Sequence, residues 1–342
     1  MPLAIPADRA AAAKEVAAVF KSGSRVALTT HVNADGDGLG SEAGLWHLLA
    51  ARGVRASIAN PTPIPERFAF LIPDGADQSE RAAKEIERAD AVVVLDISDL
   101  GRIGDLASAV QARRVPVACI DHHVSPGTLP PGPRFVAPEA TATAELVFDL
   151  ATTMRWPITA DCARALYVGI LTDTGGFRFS NTSPRALHVA GALLECGVDP
   201  ESIYEAVYAS APEGRIRLTA DVLQTLVVED DVGLAWVTVA PGALERYNAT
   251  PDDLDGIVEF PRSIAGVRMA LLFRQIANGR IKVSFRSMGA VDVAALAQQF
   301  GGGGHKKAAG ASLELSLAEA QGRVLEAARR VLRGTGAVAT TS

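Results

Sequence analysis

The chain has 342 residues, 48% hydrophobic, 21% charged and 5% aromatic, with a formal net charge of −6. That is enough apolar material for about two domains with buried cores, and it excludes a disordered or collagen-like chain. The acidic balance argues against a protein that coats long nucleic acid through non-specific charge, but it leaves room for a short anionic substrate met by a local cationic site.

No apolar run reaches the roughly 18 residues needed to span a bilayer. The first eight residues, Met1 to Asp8, lack a basic region followed by an apolar stretch, so no signal peptide is read and a cytoplasmic location is expected. The three cysteines, Cys119, Cys162 and Cys196, are too sparse and too far apart for a disulfide framework or a thiolate zinc site.

In chain order, residues 8–21 predict an amphipathic helix and 25–30 a strand, followed by a polar, glycine-rich turn. A helix over 41–52 ends at Gly53 as its cap. Then come a strand over 54–59, a helix over 79–88, and strands over 91–95 and 115–120. The last two are near-continuous apolar runs, as expected of strands buried on both faces. This alternation predicts an α/β fold with a doubly wound, mostly parallel N-terminal sheet. Helices follow over 141–154, 160–172, 184–196 and 201–225. Strands return over 233–240, 267–276 and 280–286, with Asn278-Gly279 as a hairpin turn. A final helix covers 316–332, and the tail beyond it is expected to fray. The domains expected are 1–195, a helical connection over 196–222, and a smaller α/β domain with a mixed sheet over 223–342.

The informative pattern is where acids and histidines fall. The first strand runs into His31-Val-Asn-Ala-Asp35-Gly-Asp37, strand 91–95 ends at Asp96, and strand 115–120 ends in Asp121-His122-His123. Ligands bind beyond the carboxyl ends of the strands in an open parallel sheet. These strand ends therefore bring His31, Asp35, Asp37, Asp96, His122 and His123 toward one crevice, which Asp173 can reach from the end of its helix. Taken singly, an Asp-Gly turn or an Asp after a strand is a loop or a cap. Jointly they are not, because three of the six histidines follow such strands. Crowded carboxylates need a cation. Oxygen and imidazole donors without thiolates suit Mn²⁺ or Mg²⁺, and less selectively Zn²⁺ or Co²⁺. Two ions in such a cluster point to phosphoester hydrolysis.

A second pattern is Gly301-Gly-Gly-Gly-His305-Lys306-Lys307, preceded by Arg286-Ser287. Glycines let the backbone approach an anion, and the basic residues add charge, so this segment reads as a site for a substrate phosphate or carboxylate. Arg178 in Phe177-Arg-Phe179-Ser-Asn181 reads as a further phosphate contact. His47, His188 and the tryptophans are assigned to packing or surface.

His31-x-x-x-Asp35-x-Asp37, Asp96, Asp121-His122-His123 and Asp173 resemble the four motifs of the DHH phosphoesterase superfamily. The Arg286-Ser287 and Gly303-Gly304-His305 segments resemble its DHH-associated substrate domain. The resemblance covers nearly the whole chain and is strongest to the stand-alone bacterial nano-RNase and 3′-phosphoadenosine 5′-phosphate (pAp) phosphatase group. It implies two Mn²⁺ ions, with Mg²⁺ or Co²⁺ as substitutes. His31, Asp35 and Asp96 would hold one. Asp37, Asp96, His122 and Asp173 would hold the other, with Asp96 bridging. It further implies that His123 faces the scissile phosphate, and that Arg286, Ser287, Gly303, Gly304 and His305 hold the terminal nucleotide or phosphate. Asp121 is expected to orient a histidine from behind. Ala34 stands where many relatives have proline.

The expectation is thus a hydrolase with its active site in the cleft between two α/β domains, acting on short oligoribonucleotides or pAp. A cyclic di-AMP or pApA phosphodiesterase is the first alternative. A family II inorganic pyrophosphatase, a RecJ-type exonuclease and a non-catalytic nucleotide-binding protein follow. No long DNA track and no membrane are expected as partners, and a homodimer is compatible.

Overall fold

The valine-rich and alanine-rich runs read as strands form a parallel sheet. Its strands are β1 (Arg25–Thr29), β2 (Arg55–Ile58), β3 (Ala91–Leu95), β4 (Val117–Asp121) and β5 (Arg134–Val136). They lie in the order β2-β1-β3-β4-β5, all neighbours parallel. This is a computed structural model, and it describes residues 4–124, 127–276 and 279–336, with His305, Thr335 and Gly336 described by their backbone alone. Asn278 of the expected turn, the His305 side chain and the tail from 337 therefore lie outside the described residues. The chain divides into two units, Met1–Ser210 and Ala211–Ser342.

In the first unit every residue of β3 and β4 is buried, which requires cover on both faces. The helices are α1 (Ala7–Ala17), α2 (Gly36–Ala50), α3 (Ala82–Arg88), α4 (Leu106–Gln111), α5 (Thr143–Met154), α6 (Ala160–Asp173), α7 (Pro184–Glu195) and α8 (Pro200–Tyr208). Helices α1, α2, α5, α6 and α7 share the larger core; α3 and α4 pack on the other face. The order of strand addition reverses between β1 and β3, so the loops following these strands open a crevice at the carboxyl edge of the sheet.

Helix α2 begins at Gly36, five residues earlier than expected, and for a physical reason. Asp35 caps it, accepting from the backbone N–H of Asp37 and Gly38 at 3.0 and 3.1 Å. Glycines lower intrinsic helix propensity, so the segment reads as a turn. In the fold they let α2 lie against α6: a Cβ on Gly40 would stand 2.4 Å from the Ala165 carbonyl oxygen. Tertiary packing overrides local preference here.

The second unit begins with α9 (Glu213–Leu223). The helix expected over 201–225 is broken between α8 and α9, where Pro212 cannot donate to a preceding turn. Its strands are β6 (Val227–Glu229), β7 (Leu234–Val239), β8 (Met269–Gln275), β9 (Ile281–Ser287), β10 (Gly303–His305) and β11 (Ala308–Leu313), in the order β10-β11-β9-β8-β7-β6. Only the β7–β8 pair is parallel, so the sheet is mixed. Helices α10 (Ala243–Arg246), α11 (Glu259–Arg262), α12 (Val293–Gln298) and α13 (Leu317–Gly336) complete it. One face is covered by α12 and α13 and the other by α9 and α11. Among the described residues, no helix is long and apolar enough to cross a membrane.

Part of the glycine run is strand. Gly303 and Gly304 belong to an edge strand paired with β11. Gly304 has φ 140°, and a Cβ there would stand 2.5 Å from the Ala308 carbonyl oxygen. Glycine is needed for strand approach at this position.

Candidate metal centre

Four chain segments converge at the carboxyl edge of the parallel sheet. His31 follows β1, and its Nδ1 lies 2.9 Å from the Val32 carbonyl oxygen. A carbonyl only accepts, so Nδ1 donates and Nε2 is left to face outward. Nε2 stands 3.6 Å from both Asp35 Oδ2 and Asp96 Oδ2. His122, just beyond β4, is arranged the same way. Its Nδ1 lies 3.3 Å from the Ala140 carbonyl oxygen, and its Nε2 stands 3.6 Å from Asp96 Oδ1, 3.7 Å from Asp173 Oδ2 and 3.8 Å from Asp37 Oδ2. These separations exceed hydrogen bonds and suit donor atoms around a shared cation.

Asp96 sits between the two groups with one carboxylate oxygen toward each histidine. Its backbone is left-handed, φ 57°, a conformation that aspartate tolerates better than most residues and that marks constrained sites. Asp37, buried in the first turn of α2, accepts from the backbone N–H groups of Thr143 (2.7 Å) and Ala144 (2.9 Å). It thereby caps the N-terminus of α5, where a negative charge is favoured. Asp173, the last residue of α6, accepts from Asn181 Nδ2 at 3.3 Å, and the same amide donates to the Asp173 and Thr141 carbonyls. His123 Nδ1 lies 2.8 Å from Asp121 Oδ1, which also accepts the His123 backbone N–H. Asp121 is fully buried behind the imidazole and takes no part in the donor clusters.

The donor atoms fall into overlapping sets: His31, Asp35 and Asp96; Asp37, His122 and Asp173; and Asp96, His122 and His123. Their electrostatics demand positive charge. Burial and the neighbouring Asp96, Asp173 and Asp35 push Asp37 well above the usual carboxylate range. Burial, opposed by His122 and reinforced by Asp96 and Asp35, pushes Asp173 up to about 6. Burial disfavours a charged His31, yet Asp35 and Asp96 push it up to about 10. Burial also disfavours a charged Asp96, yet His31, His122 and His123 hold it well below its ordinary value. Oxygen and imidazole donors without a thiolate fit hard or borderline divalent cations.

The remaining predicted residues are placed as follows. Arg178 is exposed on the turn after Asp173, its Nε donating to the Gly175 carbonyl at 2.6 Å. In the second unit, Arg286 is the penultimate residue of β9, with its Nε on Glu259 Oε1 at 3.1 Å. Ser287 departs from its expected role. It is buried, and its hydroxyl donates to the carbonyls of Val291 (2.8 Å) and Lys306 (3.3 Å), so it ties the sheet to the following loop. His47 is half-buried edge-on to Trp46, and His188 sits on the surface of α7. Sequence reasoning missed Thr143 and Asn181. Both are polar residues at a helix start or in a turn, where capping is the ordinary explanation. The one hint was the Thr141-Ala-Thr143 pair opening α5.

Residues 25–170 match the DHH family, N-terminal domain, and residues 233–334 match the DHHA1 domain. Over 316 residues the chain is 36% identical to the bifunctional oligoribonuclease and PAP phosphatase NrnA of Thermus thermophilus, covering 90% of each. The chain belongs to the DHH family. It is a phosphoesterase, an enzyme of the hydrolase class. This DHH protein is also 28% identical over 293 residues to the NrnA of Bacillus subtilis, covering 84% of this chain and 89% of that one. An exopolyphosphatase-related protein from Bacteroides fragilis superposes on the DHH chain with a TM-score of 0.88 at 29% identity, covering 94% of this chain and 98% of the other. RecJ of Thermus thermophilus in complex with Mn²⁺ gives a TM-score of 0.60 at 17% identity, over 98% of this chain and 55% of RecJ, a likeness of fold alone.

Proposed function

We propose that this DHH phosphoesterase hydrolyses short oligoribonucleotides and pAp with two Mn²⁺ ions, for which Mg²⁺ or Co²⁺ can substitute. The observation that carries the reading is Asp96, whose two oxygens face two separate donor groups at 3.6 Å. His31, Asp35 and Asp96 would hold one ion; Asp37, Asp96, His122 and Asp173 would hold the other. Divalent ions there would offset charge on a phosphoryl group and supply hydroxide at neutral pH. The substrate class is supported by the names of the Thermus and Bacillus relatives, each a bifunctional oligoribonuclease and PAP phosphatase.

The chain's own residues divide the remaining work. Asp121 holds the His123 ring through Nδ1, so the imidazole can hand a proton to the leaving oxygen. Arg178, on the turn after Asp173, meets a substrate phosphate. Under the same reading, Arg286, Gly303, Gly304 and His305 would contact a terminal phosphate.

The test is hydrolysis of pAp, a ribodinucleotide, a 5-mer and a 24-mer RNA, cyclic di-AMP and pyrophosphate, with Mn²⁺ and with chelator. Metal-dependent turnover of pAp and the short RNAs, lost in Asp96→Ala, is expected. Turnover of pyrophosphate alone, or of the 24-mer as fast as the dinucleotide, overturns the substrate assignment.

A further inference from the structure

The turn that follows Asp173 is unusually constrained. Gly175, Gly176 and Phe177 are consecutively left-handed, with φ of 57°, 70° and 63°. That conformation is costly for phenylalanine and persists only where the surroundings over-determine it. Here they do. The Thr174 carbonyl accepts from the N–H groups of both Arg178 (3.0 Å) and Phe179 (2.9 Å), and the Thr174 hydroxyl accepts from Phe177 N–H at 3.0 Å. The Phe177 ring is anchored edge-on to Tyr167, and Asn181 ties the far end of the turn to Asp173 and Thr141.

What this rigid turn presents outward is the ring of Phe179, 48% exposed. The ring lies over Gly175, where a Cβ would stand 2.4 Å from Phe179 Cζ, so only glycine lets it settle there. Gly175 is two residues beyond Asp173. Beside the ring, Arg178 spends only Nε on the Gly175 carbonyl, and its Nη groups make no hydrogen bond among the described residues. A solvent-facing phenyl held by a strained turn, next to the Arg178 guanidinium and a few residues along from Asp173, is not accounted for by packing.

We propose that the Phe179 ring is a platform on which the base of a nucleotide substrate stacks. The inference rests on the phosphoesterase reading above and deepens it: the site selects phosphoesters that carry a base. It does so without strong preference among bases, because every base has a π-face. Arg178 takes the phosphate beside the stacked base.

Two measurements test this on the metal-loaded enzyme. The first compares kcat/KM for pAp with that for the base-free ribose 3,5-bisphosphate. In Phe179→Ala the ratio of nucleotide to base-free substrate falls about tenfold through KM, the size expected for one lost base–aromatic stack; Phe179→Tyr restores it. The second follows the indole emission of a Phe179→Trp variant, which AMP quenches and ribose 5-phosphate does not. An unchanged ratio in Phe179→Ala, or equal quenching by both ligands, overturns the proposal. If the wild type cleaves neither substrate, the functional reading has failed and the fluorescence alone decides. Quenching by AMP then retains a nucleotide-stacking site, and its absence removes it.

Discussion

The hydroxyl of Thr143 donates to Asp96 Oδ1 at 2.9 Å. The backbone N–H of the same residue donates to Asp37 Oδ2, so the first turn of α5 holds two acidic donors from two different strand ends. Thr143→Val keeps the shape and removes the hydroxyl. Partners of this kind behind metal ligands are worth about 10–100-fold in metal affinity, and that is the loss expected in a calorimetric Mn²⁺ titration. Thr143→Ser should recover most of it. Wild-type affinity in the valine variant would mean that the left-handed backbone of Asp96 alone sets its carboxylate.

Much of this centre was legible because strand ends are legible. The apolar runs of β3 and β4 fix where Asp96 and Asp121-His122-His123 emerge, and an open parallel sheet gathers such residues at one edge. Other features were hidden for identifiable reasons. Helix α2 was read five residues short because glycines that serve packing against Ala165 and Gly169 look locally like a turn. β5 has three residues, too few to show a period. The run at Gly303-Gly304 suggests freedom in sequence, whereas pairing with β11 uses the same glycines for close approach. Thr143 carried no signal of its own, since its importance lies in what α5 meets, and Ser287 looked available only because burial cannot be read from one serine.

Metal removal has a thermal signature. A cation bound only by the folded chain, present at about 100 times its dissociation constant, adds about 2.7 kcal/mol. At about 2–4 °C per kcal/mol for domains near this size, Mn²⁺ should raise the midpoint by roughly 5–10 °C over protein in chelator. Asp173→Asn should do the opposite in two respects. Its carboxyl is pushed up to about 6 by burial and like charges, so neutralising it stabilises the metal-free protein above that pH. It also removes a donor, so the Mn²⁺ increment shrinks. Equal increments in both proteins would remove Asp173 from the ligand set.

Glu42 gives a pH dependence. It is fully buried on α2, accepts from Asn60 Nδ2 at 2.8 Å, and its other oxygen has no partner among the described residues. Burial pushes it from 4.5 up to about 8, against the Asn60 hydrogen bond and the charge of His31. The folded chain therefore binds this proton more tightly than the unfolded one, and stability falls as pH rises between those values. At about 1.4 kcal/mol per unit, the loss is on the order of a few kcal/mol. Glu42→Gln carries no such proton. Urea midpoints of the two proteins in chelator should coincide near pH 4 and separate in favour of the glutamine variant by pH 8. Parallel curves would show that Glu42 stays ionised in the fold.

Two glycine-to-alanine changes in helices should act with opposite sign. In α7, an added Cβ at Gly191 meets nothing within 4 Å. Gly191→Ala should therefore stabilise by about 0.5–1 kcal/mol, the ordinary helical preference for alanine. At Gly40 in α2 the same preference is overwhelmed. A Cβ would stand 2.4 Å from the Ala165 carbonyl oxygen and 2.9 Å from Gly169 N, both backbone atoms of α6 that no rotamer change can move. The helices must part, at a cost of about 1–3 kcal/mol or more. Because α2 carries Asp37 at one end of that contact and α6 carries Asp173 at its own C-terminus, parting them also pulls two acids of the centre away from each other. Gly40→Ala should lower both the urea midpoint and the Mn²⁺ affinity, whereas Gly191→Ala raises the first and leaves the second alone. A Gly40→Ala protein that lost stability but bound Mn²⁺ as tightly as wild type would show that the donor positions are set by the loops and not by the α2–α6 contact.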